Sequence, residues 1–368
     1  MNISRGRHLI STFIAGLVLT VAPIVLAEPA GRVLANIHEP DEVCETQTIM
    51  TLPWTICLID AKKKPGDLRE AITAGMDELK KIDGWMSEWK PKSLISLINE
   101  NAGVKPVAVT SDAWDAITKS LDEGKRSDGA FDITFNAFFG MYDWKNEKFP
   151  TDKQIRETLP LVDYRNVIVD SKAQTVFLKK KNMKIGLGGM GEGWAIDRVF
   201  EMMRLREVQA GYIDASGGVR VWGKKTSGKL WTIGVGDPRP MHPDPSRKRA
   251  LFDLYATDIS VTTAGDTEKF FEKNGRRYHH IIDPKTGYSA DRSIQVTAIC
   301  RSATLCDLVD DSIYIKGGET GQKYAEAVGV GAVIIDPKHI IFMTTGLRPI
   351  DTKWGRQLEM TPKLKLVE

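Results

Sequence analysis

Between residues 186 and 193 the chain reads Gly186-Leu187-Gly188-Gly189-Met190-Gly191-Glu192-Gly193, with an apolar stretch before it and an amphipathic segment after it. Glycines packed this densely demand a tight strand-to-helix turn in which backbone approaches something else closely. Backbone N–H groups at such a turn, ahead of a helix N-terminus, suit phosphate oxygens. The competing reading is a plain turn with no ligand. The string also matches G-x-G-x-x-G, but it follows a hairpin and no acid ends a second strand at the usual distance, so a Rossmann dinucleotide site is the weaker alternative.

Around this turn the chain alternates helix-like and strand-like patterns without a low-complexity break. Leu68, Ile72, Met76, Leu79 and Ile82 recur at helical spacing and predict a buried stripe. Ser111 or Asp112 is placed to cap a second helix carrying Trp114, Ile117 and Leu121 inward. Runs at 167–169 and 175–178 read as a hairpin, followed by a helix from Trp194 to about Arg206 and strands near Tyr212, Trp231 and Ile259. Residues 303–328 read as helix interrupted at Gly317-Gly318, and 332–335 with 340–344 as a closing hairpin. Hairpins among helices predict an α+β fold with mixed or antiparallel sheets packed against helices.

The organisation expected is a signal peptide over 1–27, a lead-in of low pattern over 28–47, one catalytic unit over 48–346 and a tail over 347–368. Arg5 and Arg7 precede an apolar run from Leu9 to Leu26, and Val25-Leu26-Ala27 fits a processing site, so export to the periplasm is expected, with a retained anchor as the alternative. Without that segment the 51 Lys+Arg fall by two against 48 Asp+Glu, a balance of +1. Near-neutral charge gives no electrostatic case for nucleic acid. Cys44, Cys57, Cys300 and Cys306 permit three pairings in an oxidising compartment, among which the sequence does not choose, and their spacing does not suit zinc.

Two further constellations carry chemistry. In Cys306-Asp307-Leu308-Val309-Asp310-Asp311, Asp307 and Asp311 share a helix face, where they repel unless a cation lies between them; oxygen ligands suit a hard ion such as Mg²⁺. In Tyr278-His279-His280-Ile281-Ile282, read as a strand, alternate side chains face opposite ways, so one histidine at most faces a given site before Asp283-Pro284 ends the run. Asp128-Gly129-Ala130-Phe131-Asp132 is a loop with a buried-type aromatic between acids.

In this order the pieces resemble the ApbE-type FAD:protein FMN transferase family, over about residues 46–346. The stations are Thr48-Ile49-Met50, Met86-Ser87-Glu88-Trp89, Gly129 to Asp132, Gly188 to Asp197, Asp214-Ala215-Ser216-Gly217-Gly218, Thr263-Ala264-Gly265-Asp266, His280 to Gly287 and Asp307 to Asp311. The resemblance implies an ApbE-like, T-fold-like architecture and Mg²⁺-dependent transfer of FMN from FAD to a Thr or Ser hydroxyl of an acceptor protein, with release of AMP. It implies that Met50, Trp89, Ala130, Phe131, Asp132, Glu192 and Ile281 contact FAD. It also implies that Asp307, Asp311 and the Gly189 carbonyl hold the metal, with Thr304 a further candidate. The acceptor it implies is a membrane redox-complex subunit or a respiratory flavoprotein. His280 is assigned as the base, because an imidazole titrates near working pH.

The chain departs from the family pattern at four points. Met-Gly-Thr becomes Met50-Thr51-Leu52, Gly186 stands for an Asp, Glu192 for a Lys, and Asp311 for the metal Thr. Two rival readings share the fold: FAD pyrophosphatase, with water as acceptor, and a non-catalytic exported flavin-binding protein.

Overall fold

The computed structural model describes residues 33–35, 42–239, 250–352 and 355–367. The expected signal peptide lies outside the described residues. Seven α-helices are described: α1 (Pro65–Met86), α2 (Leu94–Glu100), α3 (Ser111–Arg126), α4 (Asp152–Thr158), α5 (Gly191–Leu205), α6 (Ala303–Lys316) and α7 (Gly318–Val328). None is long and apolar enough to cross a membrane.

The frame is an eight-stranded antiparallel sheet. Its order runs Ile341–Met343, Gly331–Ile335, Gln295–Cys300, Ile259–Gly265, Gly218–Trp222, Ala210–Asp214, Leu52–Ile59 and Val43–Ile49. Both faces are covered, and strand alternation sorts the residues between them. Along Leu52–Ile59, Trp54, Ile56 and Leu58 pack towards helices while Cys57 and Ile59 face a second sheet. That second sheet has five strands, Val33–Ala35, Trp231–Gly236, Ala250–Ala256, Gly355–Met360 and Leu347–Thr352, with one parallel pairing and three antiparallel. The molecule is therefore helices, sheet and sheet in three layers, an α+β fold as expected.

On the helical side, α1 buries Leu68, Ile72, Met76, Leu79 and Ile82 as the spacing predicts. The central helix α6 is buried on almost every side, lying across the sheet between α5 and α7. Its buried Ser312 donates to Glu123, which also accepts from Tyr324 and pairs with Arg126, so one buried carboxylate ties α3, α6 and α7 together.

Several expectations shift. The cap of α3 is Thr110, whose hydroxyl accepts from Ala113 N, because Thr110 is the last extended residue before the helix. Ile117 is buried there with Ala113, Ala116 and Ser120, while Trp114 and Leu121 are half-buried. The segment read as a patternless lead-in contributes the edge strand Val43–Ile49, and the segment read as a tail forms the hairpin Leu347–Thr352/Gly355–Met360 that completes the second sheet. Val43–Ile49 and Leu347–Thr352 are edge strands, which carry a weak apolar pattern, whereas Gly355–Met360 is paired on both sides. The cysteines pair as Cys44–Cys57, across the first hairpin, and Cys300–Cys306, tying a strand end to the first turns of α6.

Candidate active site

The hairpin of Val43–Ile49 and Leu52–Ile59 turns through Met50 and Thr51, both at positive φ (52° and 66°), a two-residue type I′ turn. A β-branched residue is strained there, and Thr51 is where the family pattern has glycine. This turn forms one lip of a cleft of about 490 Å³. The rest of the wall comes from the end of α1, the Ala130–Phe131 loop, the glycine turn, the strand Ile259–Gly265, His280 with Ile281, and one face of α6.

Met50, Trp89, Ala130, Phe131, Asp132, Gly189, Glu192, His280, Ile281, Asp307 and Asp311 all line this cleft. Residues from six separated stretches of chain thus converge on one cavity. Trp89 is 68% exposed at the mouth, its ring edge-on to Phe139 at 4.8 Å. Ala130, Phe131 and Ile281 are buried. Glu192 opens the first turn of α5 and lies near Gly217.

Two candidates do other work. The Asp132 carboxylate accepts from Thr134 N and Thr134 Oγ1 on one oxygen and from Tyr164 N on the other, so it shapes the loop that presents Phe131. Burial pushes its pKa up, and the Thr134 hydrogen bonds only partly offset this. Thr304 is not among the cleft-lining residues; its hydroxyl donates to Asp197 at 2.8 Å. It faces α5 because it lies in the first turn of α6, roughly a full turn before Asp307.

The glycine turn also differs from the expected phosphate cradle. Helix α5 begins at Gly191, earlier than Trp194, and its first-turn N–H at Gly193 donates to Asp307 Oδ2 at 2.8 Å. A Cβ on Gly193 would stand 2.2 Å from the Ala303 carbonyl, and one on Gly191 would meet the Met86 sulfur. These two glycines let α6 and α1 approach α5. Gly188, Gly189 and Gly191 all line the cleft, and a Cβ on Gly189 would come to 3.0 Å from Asp311 Oδ2. Gly186 does not line the cleft; the space beside it is taken by Asn136, which donates to the Ile185 carbonyl.

Of the two histidines, His279 is buried with Nε2 against the Ala290 carbonyl at 2.6 Å. His280 lies just past the strand Arg276–His279 and lines the cleft. Burial, then His279 and Lys269, push its pKa down to about 3, so the imidazole is neutral at working pH and a weaker base than the near-neutral titration expected of it.

Asp310, which the four-residue spacing overlooked, also lines the cleft; its i+3 relation to Asp307 was the available signal. Burial raises Asp307 to about 6 despite hydrogen bonds from Gly193 and Glu192, and burial with the Asp307 charge raises Asp311 to about 7. Asp310 is pushed well above the carboxylate range by burial and then by Asp311 and Asp307. Among the described residues no Lys or Arg pairs with any of the three. Buried carboxylates without a counter-charge either hold protons or take a cation. Their oxygen donors, facing a cleft open to a substrate, fit Mg²⁺, which is commonly held by one or two carboxylates plus substrate phosphates. A tight set of potential ligand atoms also occurs at Glu42, Cys44 and Cys57, but both sulfurs there are spent in the disulfide.

Residues 50–334 match the ApbE family model. The chain is 25% identical over 312 residues to the FAD:protein FMN transferase of Treponema pallidum, covering 80% of this chain and 85% of that relative. It is also 25% identical over 311 residues to the Escherichia coli K12 protein of the same name, covering 82% and 86%. Among solved structures, the ApbE protein of Thermotoga maritima superposes with a TM-score of 0.74 at 27% identity, over 83% of this chain and 97% of that one. The flavin transferase ApbE of Vibrio cholerae superposes with a TM-score of 0.71 at 20% identity, over 88% and 98%.

Proposed function

We infer the reaction from one premise: this chain belongs to the ApbE family. It is a flavin transferase, an FAD:protein FMN transferase like the relatives it matches. The observation that carries its mechanism is that His280, Asp307, Asp311 and Gly189 open onto a single cleft.

In the mechanism we propose, FAD lies with its diphosphate against the α6 acids and the Gly188–Gly189 turn, its isoalloxazine towards Met50, Trp89 and Phe131. Mg²⁺ held by Asp307, Asp311 and the Gly189 carbonyl would neutralise phosphate charge and orient the diphosphate. The acceptor Thr or Ser oxygen forms a bond to the phosphorus on the riboflavin side as the bond to the AMP phosphate breaks. His280 takes the hydroxyl proton. Its depressed pKa rises when the diphosphate charge binds beside it, bringing the base closer to working pH. The enclosing aromatic and aliphatic wall keeps water from competing as acceptor.

Export to the periplasm is part of the same reading: two disulfides support an oxidising compartment, and the basic-then-apolar start supports a secretory signal. The acceptor is then a membrane redox-complex subunit or respiratory flavoprotein facing that compartment. The test is to incubate the purified chain with FAD, Mg²⁺ and candidate acceptors, following in-gel flavin fluorescence and peptide mass. A fluorescent acceptor supports transfer. AMP and free FMN without labelling would mean pyrophosphatase, and neither product a flavin-binding protein.

A further inference from the structure

The acids of α6 reach the cleft only while α6 keeps its register against α5, and one carboxylate outside the cleft holds that register. Asp197 lies a turn beyond Gly193 on α5. Its Oδ2 accepts from Ser302 Oγ at 2.6 Å, Thr304 N at 2.9 Å and Thr304 Oγ1 at 2.8 Å, and its Oδ1 accepts from Ala303 N at 2.9 Å. Ser302 Oγ in turn accepts from Leu305 N at 3.2 Å. The Arg220 guanidinium stands 3.7 Å from the same carboxylate and donates to the Arg301 carbonyl, adding the strand Gly218–Trp222 to the cluster.

In the opposite direction, Asp307 on α6 accepts from Gly193 N on α5. The two helices therefore cap each other, each giving an aspartate to its neighbour's N-terminus. Two positive helix ends that would repel are held together by the exchanged carboxylates. Loss of the Asp197 half leaves Ala303 N and Thr304 N without their acceptor and loosens the first turn of α6 against α5, the turn that leads into Asp307. Arg220 cannot substitute, because a cation at two helix N-termini is unfavourable on its own.

We propose that Asp197 is a positioning residue for the reaction: by capping α6 it holds Asp307 and Asp311 where a divalent ion and the FAD diphosphate meet them. The proposal rests on the Mg²⁺-bound reading of the cleft. Groups that orient metal ligands without touching the metal typically change affinity by about 10- to 100-fold when removed.

The test uses the full chain with FAD, titrated with Mn²⁺ by electron paramagnetic resonance of the free ion and with Mg²⁺ by calorimetry. Asp197→Asn is expected to weaken metal binding about 10- to 100-fold, with FAD turnover recovering as metal is raised. Thr304→Val, which removes one donor to Asp197, is expected to weaken it about two- to tenfold. Thr151→Ala removes the side-chain cap of the distant α4 and costs comparable fold stability, yet should leave metal affinity unchanged. Wild-type affinity in Asp197→Asn, or an equal loss in Thr151→Ala, overturns the proposal. If Asp197→Asn does not fold, unchanged affinity in Thr304→Val overturns it. A wild-type chain that binds no metal with FAD overturns the proposed Mg²⁺ site instead, so the two failures are distinct.

Discussion

The two faces of the eight-stranded sheet do different jobs. The face towards the second sheet is closed by Tyr212, Val219, Val221, Trp231, Ile233, Phe252, Leu254 and Val261, an almost purely apolar layer. The face towards the helices also buries Asp132, Glu123, Arg220, His279 and Asp310, with Asp307 and Asp311 half-buried beside Asp310. Burying apolar area stabilises at about 25 cal/mol per Å², whereas buried charge costs stability unless paired. The comparison teaches that one face supplies the fold's stability while the other gives some of it up to gather acids and an imidazole at a cleft.

Substitutions on the two faces should therefore separate stability from chemistry. On the helical face, His280→Ala should lower FMN transfer by about 10²- to 10⁴-fold while FAD binding and Tm barely change. Full transfer by that variant in a labelling assay would remove the base from the mechanism. On the sandwich face, Trp231→Ala should cost about 3–5 kcal/mol in urea unfolding, since Trp231 is fully buried and donates to the Trp222 carbonyl. Its folded fraction should keep the wild-type transfer rate, and a slowed folded enzyme would show that the faces are not separable.

A smaller effect concerns pH. Folded Asp307 and Asp311 titrate at about 6 and about 7, above the unfolded value of 3.8, so they hold protons that the unfolded chain has released. Their contribution is complete below about pH 4 and is lost as pH rises through 6 and 7. Metal binding needs the ionised carboxylates. The Tm gain from Mg²⁺ with FAD should thus be larger at pH 8 than at pH 6.5 in calorimetry. Below that range His280 acts with opposite sign, because its folded pKa of about 3 lies under the unfolded 6.5 and its contribution fades as pH falls. An equal or larger metal gain at pH 6.5 contradicts the acids as ligands. The smallest effect is expected at the cleft's lip: Thr51→Gly should stabilise by about 0.5–1 kcal/mol by releasing the strained positive φ, net of the added chain entropy. A lowered Tm would mean that the threonine makes a compensating contact.

Much of the site could be read from residue order. His280, Asp307, Asp311, Gly189 and the flavin-side candidates were each tied to a local motif, and the fold brings them to one cleft. Asp132 and Thr304 sit in the expected motifs, Asp132 on the cleft wall and Thr304 off it, but which way a carboxylate or hydroxyl points depends on which donor or acceptor lies nearest after folding. Asp310 was passed over because pairwise spacing does not say which side of an all-round buried helix meets a cavity.

From sequence alone came the helical stripe of α1, the hairpins, the break at Gly317-Gly318 and the motif order, because side-chain periodicity and turn chemistry are local properties. Tertiary structure alone decided the cysteine pairing, the strands within the lead-in and tail, and the reciprocal capping of α5 by Asp307 and α6 by Asp197. The capping joins residues more than a hundred apart in the chain, and even the cysteine pairs, 13 and 6 residues apart, depend on how a hairpin and a strand-to-helix turn fold. The glycines show the division most directly: their density announced a close approach, but only the packed helices revealed that Gly193 makes room for α6 while Gly189 faces the acids.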